Sequence, residues 1–187
     1  MISWIVLAFF ATIVVYAIAL YNRLVRQRQM VREGWSGIDV QLKRRFDLIP
    51  NLVEAVKGYM THERETLAQV TEMRARAGGV PSGDVAGRAQ AEGMLGAALS
   101  RLMAVAENYP ELDASDNFLD LQDALRNIEN ELQMARRYYN GAVRDLNVTV
   151  EAFPSNLIAN QFGFSSEDFF EIEDDAERTT PKVNFGD

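Results

Sequence analysis

Cysteine is absent from the 187 residues, and histidine occurs once. Without cysteine there is no disulfide, no thiolate nucleophile and no cysteine-based zinc site, although this leaves the redox compartment open. The lone histidine, His62, is followed by Glu63 as in a zinc-protease helix, yet no second histidine exists to supply the next ligand. There is no G-x-S-x-G elbow and no P-loop pattern to present a nucleophile or cradle a phosphate, and the glycine pair Gly83 and Gly87 is too short a motif to count as one. Two carboxylate pairs, Glu63 with Glu65 and Asp113 with Asp116, have the chemistry for acid/base work or Ca²⁺, but that ion takes about six to eight oxygens, and exposed helix-end charge is the simpler account. The expectation is a protein with no catalytic residues, no metal, no cofactor and no small-molecule substrate. Excess positive charge is missing as well: a net charge of −8 argues against bulk attraction to nucleic acid. A chain of this length and apolar content is still enough for one domain with a sizeable core.

The total hides an asymmetry. Between Asn22 and Arg45 seven basic residues (Arg23, Arg26, Arg28, Arg32, Lys43, Arg44 and Arg45) face only Glu33 and Asp39, whereas from Glu167 onward acidic residues dominate. The basic stretch follows Ile2 to Tyr21, which has no charged side chain and, at ~1.5 Å per residue, is long enough to cross a ~30 Å hydrocarbon layer. A cleaved signal peptide carries its positive charge ahead of the apolar run and ends in small residues; here the arginines come behind it. The pattern predicts a retained single-pass anchor over 2–21 in the cell (inner) membrane. Trp4 and Tyr21 would lie at the two interfaces, with Arg23, Arg26 and Arg28 on the cytoplasmic flank, the N-terminus outside and the rest inside. Those arginines also lie where anionic lipid would attract them, each by about 1 kcal/mol near the surface.

Beyond the anchor the periodicity is helical. Trp35, Ile38, Leu42, then Arg45 or Phe46, Ile49, Leu52, Val56 and Tyr59 recur by threes and fours. Pro50 interrupts this seam without ending it: it lacks an N–H and crowds the carbonyl of Phe46, so it should kink a path that continues to the loop Ala77–Gly83. A second helix is expected from Asp84 to Glu107, with Ala91, Leu95, Ala98, Leu102 and Val105 on one face. After a connector from Glu107 to Phe118, a third helix carries Phe118, Leu121, Leu125, Ile128, Leu132, Ala135, Tyr139, Ala142 and Leu146 in a coiled-coil-like repeat. Pro154 ends it. Ser155 or Asn156 can cap a short helix over Leu157 to Phe162, with Phe162, Phe164, Phe169 and Phe170 pinning it to the bundle. The fold class is all-α: one transmembrane helix, an antiparallel bundle over 22–172 with a short C-terminal helix, and an acidic flexible tail over 173–187. The second helix, at about 24 residues and ~36 Å, does not match the third at about 37 residues and ~55 Å. Either the connector runs extended or the third helix overhangs its partners.

The block GWSGIDVQLKRRFDLIPNLVEAVKGYMTHE, Gly34 to Glu63, behind a single N-terminal span resembles the LemA family. So do AENYPEL at Ala106 to Leu112, NFLDLQ at Asn117 to Gln122, ARRYYNGAV at Ala135 to Val143 and FPSNLIA at Phe153 to Ala159, in order along nearly the whole chain. Asp113 departs from the pattern, since a basic residue is expected there. The resemblance implies a membrane-anchored, mostly helical domain. One branch of the family is associated with magnetosome membranes, and members often accompany membrane proteases of the heat-shock type.

Polar residues beside the seams are the candidates for specificity. Arg44, Arg45, Asp47 and Asn51 on the first long helix are expected to face Arg136, Asn140, Arg144 and Asn147, which recur at helical spacing on the third. Buried charge must be paired, and a polar seam residue can set helix register, so these eight form an interhelix lock; the alternative is a partner or anion site built on the arginines. The functional expectation is a non-enzymatic scaffold that contacts membrane lipid and forms a homo-oligomer at the cytoplasmic face. The alternative is an adaptor for a membrane protease.

Overall fold

The computed structural model describes residues 1–60, 62–81 and 83–171. The acidic tail expected over 173–187 lies outside the described residues. Six helices follow one another, with no strand among the described residues: α1 (Ile2–Lys57), α2 (Arg64–Gly79), α3 (Val85–Ala106), α4 (Pro110–Asp113), α5 (Asp116–Glu151) and α6 (Ser155–Gln161). The chain divides into two compact units, Met1–Arg45 with Leu125–Phe169, and Phe46–Ala124 with Phe170–Asp187.

In the first unit α1 begins bare. Its apolar window is 0 % buried, with Phe9, Phe10 and Val15 each more than half exposed. Burial starts at Leu24 and recurs at Gln27, Val31, Gly34, Ile38, Leu42 and Arg45, the three-four spacing of a helix with one packed face. On α5 the matching stripe is Leu125, Leu132, Tyr139 and Leu146. The Gln27 side chain donates to the Asp145 carbonyl at 3.0 Å, Tyr138 donates to Glu33 at 3.3 Å, and Arg45 meets Glu129 at 2.6 Å. As numbering climbs α1 it falls along α5, so the two helices run antiparallel. Gly34 sets their closest approach: a Cβ there would lie 2.9 Å from the Tyr139 Cα, whereas one at Gly37 would sit 3.8 Å from the Ala135 Cβ. The mismatch in helix lengths is thereby resolved without an overhang in this unit, because α5 from Leu125 onward packs on the post-anchor part of α1. The connector, for which an extended path is one of the two alternatives, is partly helical, with α4 burying Leu112.

After α6 the chain reverses at Gly163, whose φ of 68° is the left-handed conformation a helix end favours, and Phe164 N–H donates back to Ala159 O at 2.9 Å. Segment 164–169 then lies on α5. Asn147 grips the backbone of Glu167 in both directions, accepting from its N–H and donating to its C=O at 2.9 Å each. Tyr139 donates to the Asp168 carbonyl at 2.8 Å. The expected side-chain cap on α6 is absent, since Ser155 donates its hydroxyl to Ala152 O instead. Of the aromatics expected to pin this end, Phe164 is buried but Phe162 and Phe169 stay 57 % and 39 % exposed, and Phe170, also buried, belongs to the second unit.

In the second unit α1 passes through Pro50 and stops at Lys57. The expected unbroken path to Ala77 therefore fails at Gly58, where the poorest helix former but proline starts a turn, and Tyr59 and Met60 N–H both donate to Val56 O. That turn swings Met60 inward and leaves Tyr59, the residue expected on the seam, 42 % exposed. α2 packs on α3, joined by Arg101 donating to Gln69 at 3.1 Å. Asp84 caps α3 by accepting from Gly87 N–H at 2.8 Å. Val70, Leu95, Leu102, Leu112 and Phe118 are core residues of this unit.

Candidate interaction sites

Pro50 creates a chemical demand that the second unit answers. A proline in a helix leaves the carbonyl four residues back without its donor, and here that carbonyl belongs to Phe46. Arg74 of α2 donates its Nε–H to Phe46 O at 2.9 Å and lays its guanidinium 3.7 Å from the centroid of the Phe46 ring. The ring continues onto Gly78, where a Cβ would come within 2.9 Å of it. One arginine thus supplies the missing hydrogen bond and a cation–π contact. Arg74 escapes sequence reading because the demand at Phe46 is legible but the helix that meets it is not.

The first unit has a different polar centre. Arg45 is 1 % exposed, the largest fully buried side chain described, and its Nη1 lies 2.6 Å from the Glu129 carboxylate, whose side chain is 41 % exposed. A buried guanidinium needs such a partner, and one half-open to water lowers the desolvation cost of the pair. Of the eight residues expected to form the interhelix lock, Arg45 pairs across the helices, with a partner outside the set. The antiparallel register is the reason: it places Glu129 beside Arg45, while Arg144 and Asn147 lie toward the Gln27 end. Arg44, Asp47, Asn51 and Arg144 are exposed. Arg136 and Asn140 are half-buried and engaged with neighbours, and Asn147 holds the C-terminal segment. Glu129 flanks the seam residues Leu125 and Leu132, the position where coiled-coil charges pair, and that is the signal that points to it.

Among the anchor flanks, Trp4 and Tyr21 are 75 % and 37 % exposed, and Arg23 and Arg26 are exposed. Arg28 differs, its guanidinium lying 4.6 Å from the Phe164 ring centroid. The carboxylate Glu63 accepts from the Tyr109 hydroxyl at 3.3 Å; desolvation, then the Glu63 charge and this hydrogen bond, raise the Tyr109 pKa above its ordinary value. Burial pushes Tyr139 up to about 12, helped by the charges of Glu167 and Asp168. No group of three or more His, Cys, Asp or Glu side chains poised for a metal ion occurs among the described residues. An open, mostly apolar groove of about 780 Å³ in the second unit runs between the end of α1 and α2, lined by Val53, Met60, Leu67, Thr71 and Ala75, with Lys57, Arg64 and Glu72 among its charged members.

The helices that carry these contacts coincide with a known family. Two magnetosome proteins of Paramagnetospirillum magneticum, MamQ 1 and MamQ 2, are each 26 % identical over 190 residues, covering 89 % of this chain and 68 % of their own length. Magnetosome protein MamQ of Magnetospirillum gryphiswaldense is 26 % identical over 174 residues, covering 80 % of this chain and 64 % of its own. Protein LemA of Metamycoplasma hominis is 24 % identical over 156 residues, at 82 % and 69 %. The LemA family model matches residues 34–185, from the glycine at the α1–α5 crossing to beyond the segment held by Asn147 and Tyr139, and the chain belongs to the LemA family.

Proposed function

We propose that the chain is a membrane-anchored, non-enzymatic helical scaffold that self-associates at the cytoplasmic face of the cell membrane. The observation that carries the reading is the use made of its polar side chains. Arg45, Arg74, Tyr109, Tyr139 and Asn147 each join one backbone element to another, an arrangement suited to rigidity, and the α1 stretch ahead of it is apolar and unburied. The relatives named as magnetosome proteins support a role tied to a cellular structure. Full-length protein reconstituted in nanodiscs large enough for several copies should give assemblies by mass photometry; a stoichiometry of one per disc would overturn the scaffold.

Orientation follows from the arginines behind Tyr21. In otherwise cysteine-free protein, a cysteine at Ser3 should react with an impermeant maleimide on intact cells and one at the exposed Arg137 should not. The opposite labelling would place the bundle outside.

The adaptor reading has its own support in the groove between α1 and α2, whose mostly apolar lining with Lys57, Arg64 and Glu72 suits a partner segment. Cross-linking in native membranes distinguishes the two: self-ladders support the scaffold, a one-to-one adduct with a membrane protease the adaptor.

A further inference from the structure

From Ala152 to Ser166 the chain has no charged residue, although a quarter of all its residues are charged. This stretch contains α6 and, in the first unit, three large apolar side chains that are more than half exposed: Phe153 at 80 %, Leu157 at 59 % and Phe162 at 57 %. The other side of α6, Ser155 and Ala159, is buried, so Leu157 points outward beside Asn160 and Gln161, with Phe153 just before the helix and Phe162 at its C-cap. Such apolar exposure in an aqueous setting is unfavourable, and its neighbours show where it lies. The Phe162 ring stands edge-on to Tyr21 with centroids 4.9 Å apart, and Phe164 meets the same tyrosine at 5.9 Å. Tyr21 is the last residue of the apolar run that is long enough to span a bilayer. The antiparallel register agrees: Gln27 lies beside Asp145, so the end of α5 at Glu151 arrives level with the end of that run, and Phe153 comes next.

We propose that α6 and its flanking phenylalanines are an interfacial membrane element, with Phe153, Leu157 and Phe162 set in the boundary between headgroups and acyl chains while Asn156, Asn160 and Gln161 stay at the headgroup level. This rests on reading 2–21 as the span. The occupant is lipid rather than a second chain because the patch is continuous with the anchor through Tyr21 and carries none of the charge that usually borders a protein interface. Leu157 on α6, with Phe153 just before the helix and Phe162 at its C-cap, suits burial to a depth of about 5–10 Å in the interface, and ring systems favour that zone. With the span it gives the unit two points of attachment, which fix its tilt where a single helix would leave it free. Insertion is apolar, so zwitterionic lipid suffices.

The test uses full-length protein in phosphatidylcholine vesicles. Single cysteines replace Phe153, Leu157, Phe162, Ile13 or Met134, one at a time, and carry a nitroxide whose collision rates with oxygen and with a water-soluble nickel chelate are read by electron paramagnetic resonance; circular dichroism confirms that each variant is folded. Positions 153, 157 and 162 should show an oxygen-to-nickel ratio severalfold above that of Met134 and closer to that of Ile13. If Ile13 reports lipid while Leu157 and Phe162 report water, the interfacial element is wrong and the span stands. If Ile13 itself reports water, the span is wrong and the inference goes with it. Labels at 157 and 162 shielded from both reagents, with spin–spin broadening that dilution by unlabelled protein removes, would overturn it in favour of contact between copies.

Discussion

Arg74 tests how a helix tolerates an internal proline. Replacing it with methionine keeps the packing volume but leaves Phe46 O without its Nε donor, and losing this part-buried bond to a charged group should cost about 1.5 kcal/mol. In a Pro50→Ala background the alanine N–H takes over that carbonyl, so the same Arg74→Met change should cost about 1 kcal/mol less. Urea denaturation of the four proteins in detergent micelles measures the difference; strict additivity would show that Arg74 acts only through the Phe46 ring. Tyr139 sets a pH limit. Its folded pKa is raised to about 12 from an unfolded value near 10, so the neutral phenol is favoured in the folded state. The stabilisation is complete below about pH 10 and is lost as pH climbs toward 12, on the order of 2 kcal/mol in all. Melting temperature should fall over that window more steeply for the native protein than for Tyr139→Phe, which lacks the titrating group; parallel slopes would assign the alkaline loss elsewhere.

Between elements, the decisive contact is the α1–α5 crossing. Gly34→Ala places a methyl 2.9 Å from the Tyr139 backbone, which cannot move aside as a side chain can, whereas Gly37→Ala brings ordinary contact with Ala135. The first should destabilise by about 1–3 kcal/mol through overpacking. The second should be neutral or stabilising by up to about 1 kcal/mol, since alanine is the better helix former. Thermal melts followed by circular dichroism compare them, and equal effects would mean that helix separation is not set at Gly34. The helices themselves were legible because the three-four periodicity of Ile38, Leu42, Ile49, Leu52 and Val56, and the seven-residue recurrence of Leu125, Leu132, Tyr139 and Leu146, are properties of the chain alone. The stop at Gly58 was not, because Tyr59 happens to fit the spacing although the turn gives its place to Met60. Partners are harder still. Which carboxylate meets Arg45 depends on the sliding register of two helices, and that is set by the Gly34 approach and the Gln27 hydrogen bond rather than by any residue near Arg45. The double grip of Asn147 on Glu167 likewise depends on the reversal at Gly163.

At the scale of the whole molecule, the self-association proposed above must use what remains available once each unit has folded. Leu125, Leu132 and Leu146 of the α5 repeat are consumed within the first unit, the last two at 1 % exposure, so Leu132→Asp should unfold that unit rather than release an intact monomer. Charge is the resource left over. Arg23, Arg26, Arg32, Lys43 and Arg44 are all exposed, and the chain beyond Glu167 is acidic, so opposite ends of neighbouring copies can attract one another. Anchoring in a membrane raises the effective concentration, which lets a modest contact persist that would dissociate in dilute solution. Exposed charge pairs are screened within ~8 Å at physiological ionic strength. Assemblies in nanodiscs should therefore shrink as salt rises from low to about 0.5 M, a range over which the Debye length falls severalfold. Replacing Lys43 and Arg44 with glutamine should reproduce the high-salt distribution at low salt while leaving the circular dichroism melt unchanged, because neither side chain is buried. An assembly indifferent both to salt and to these substitutions would have to be held by apolar contacts, through exposed residues such as Val40, Met134 and Tyr138, and not by charge.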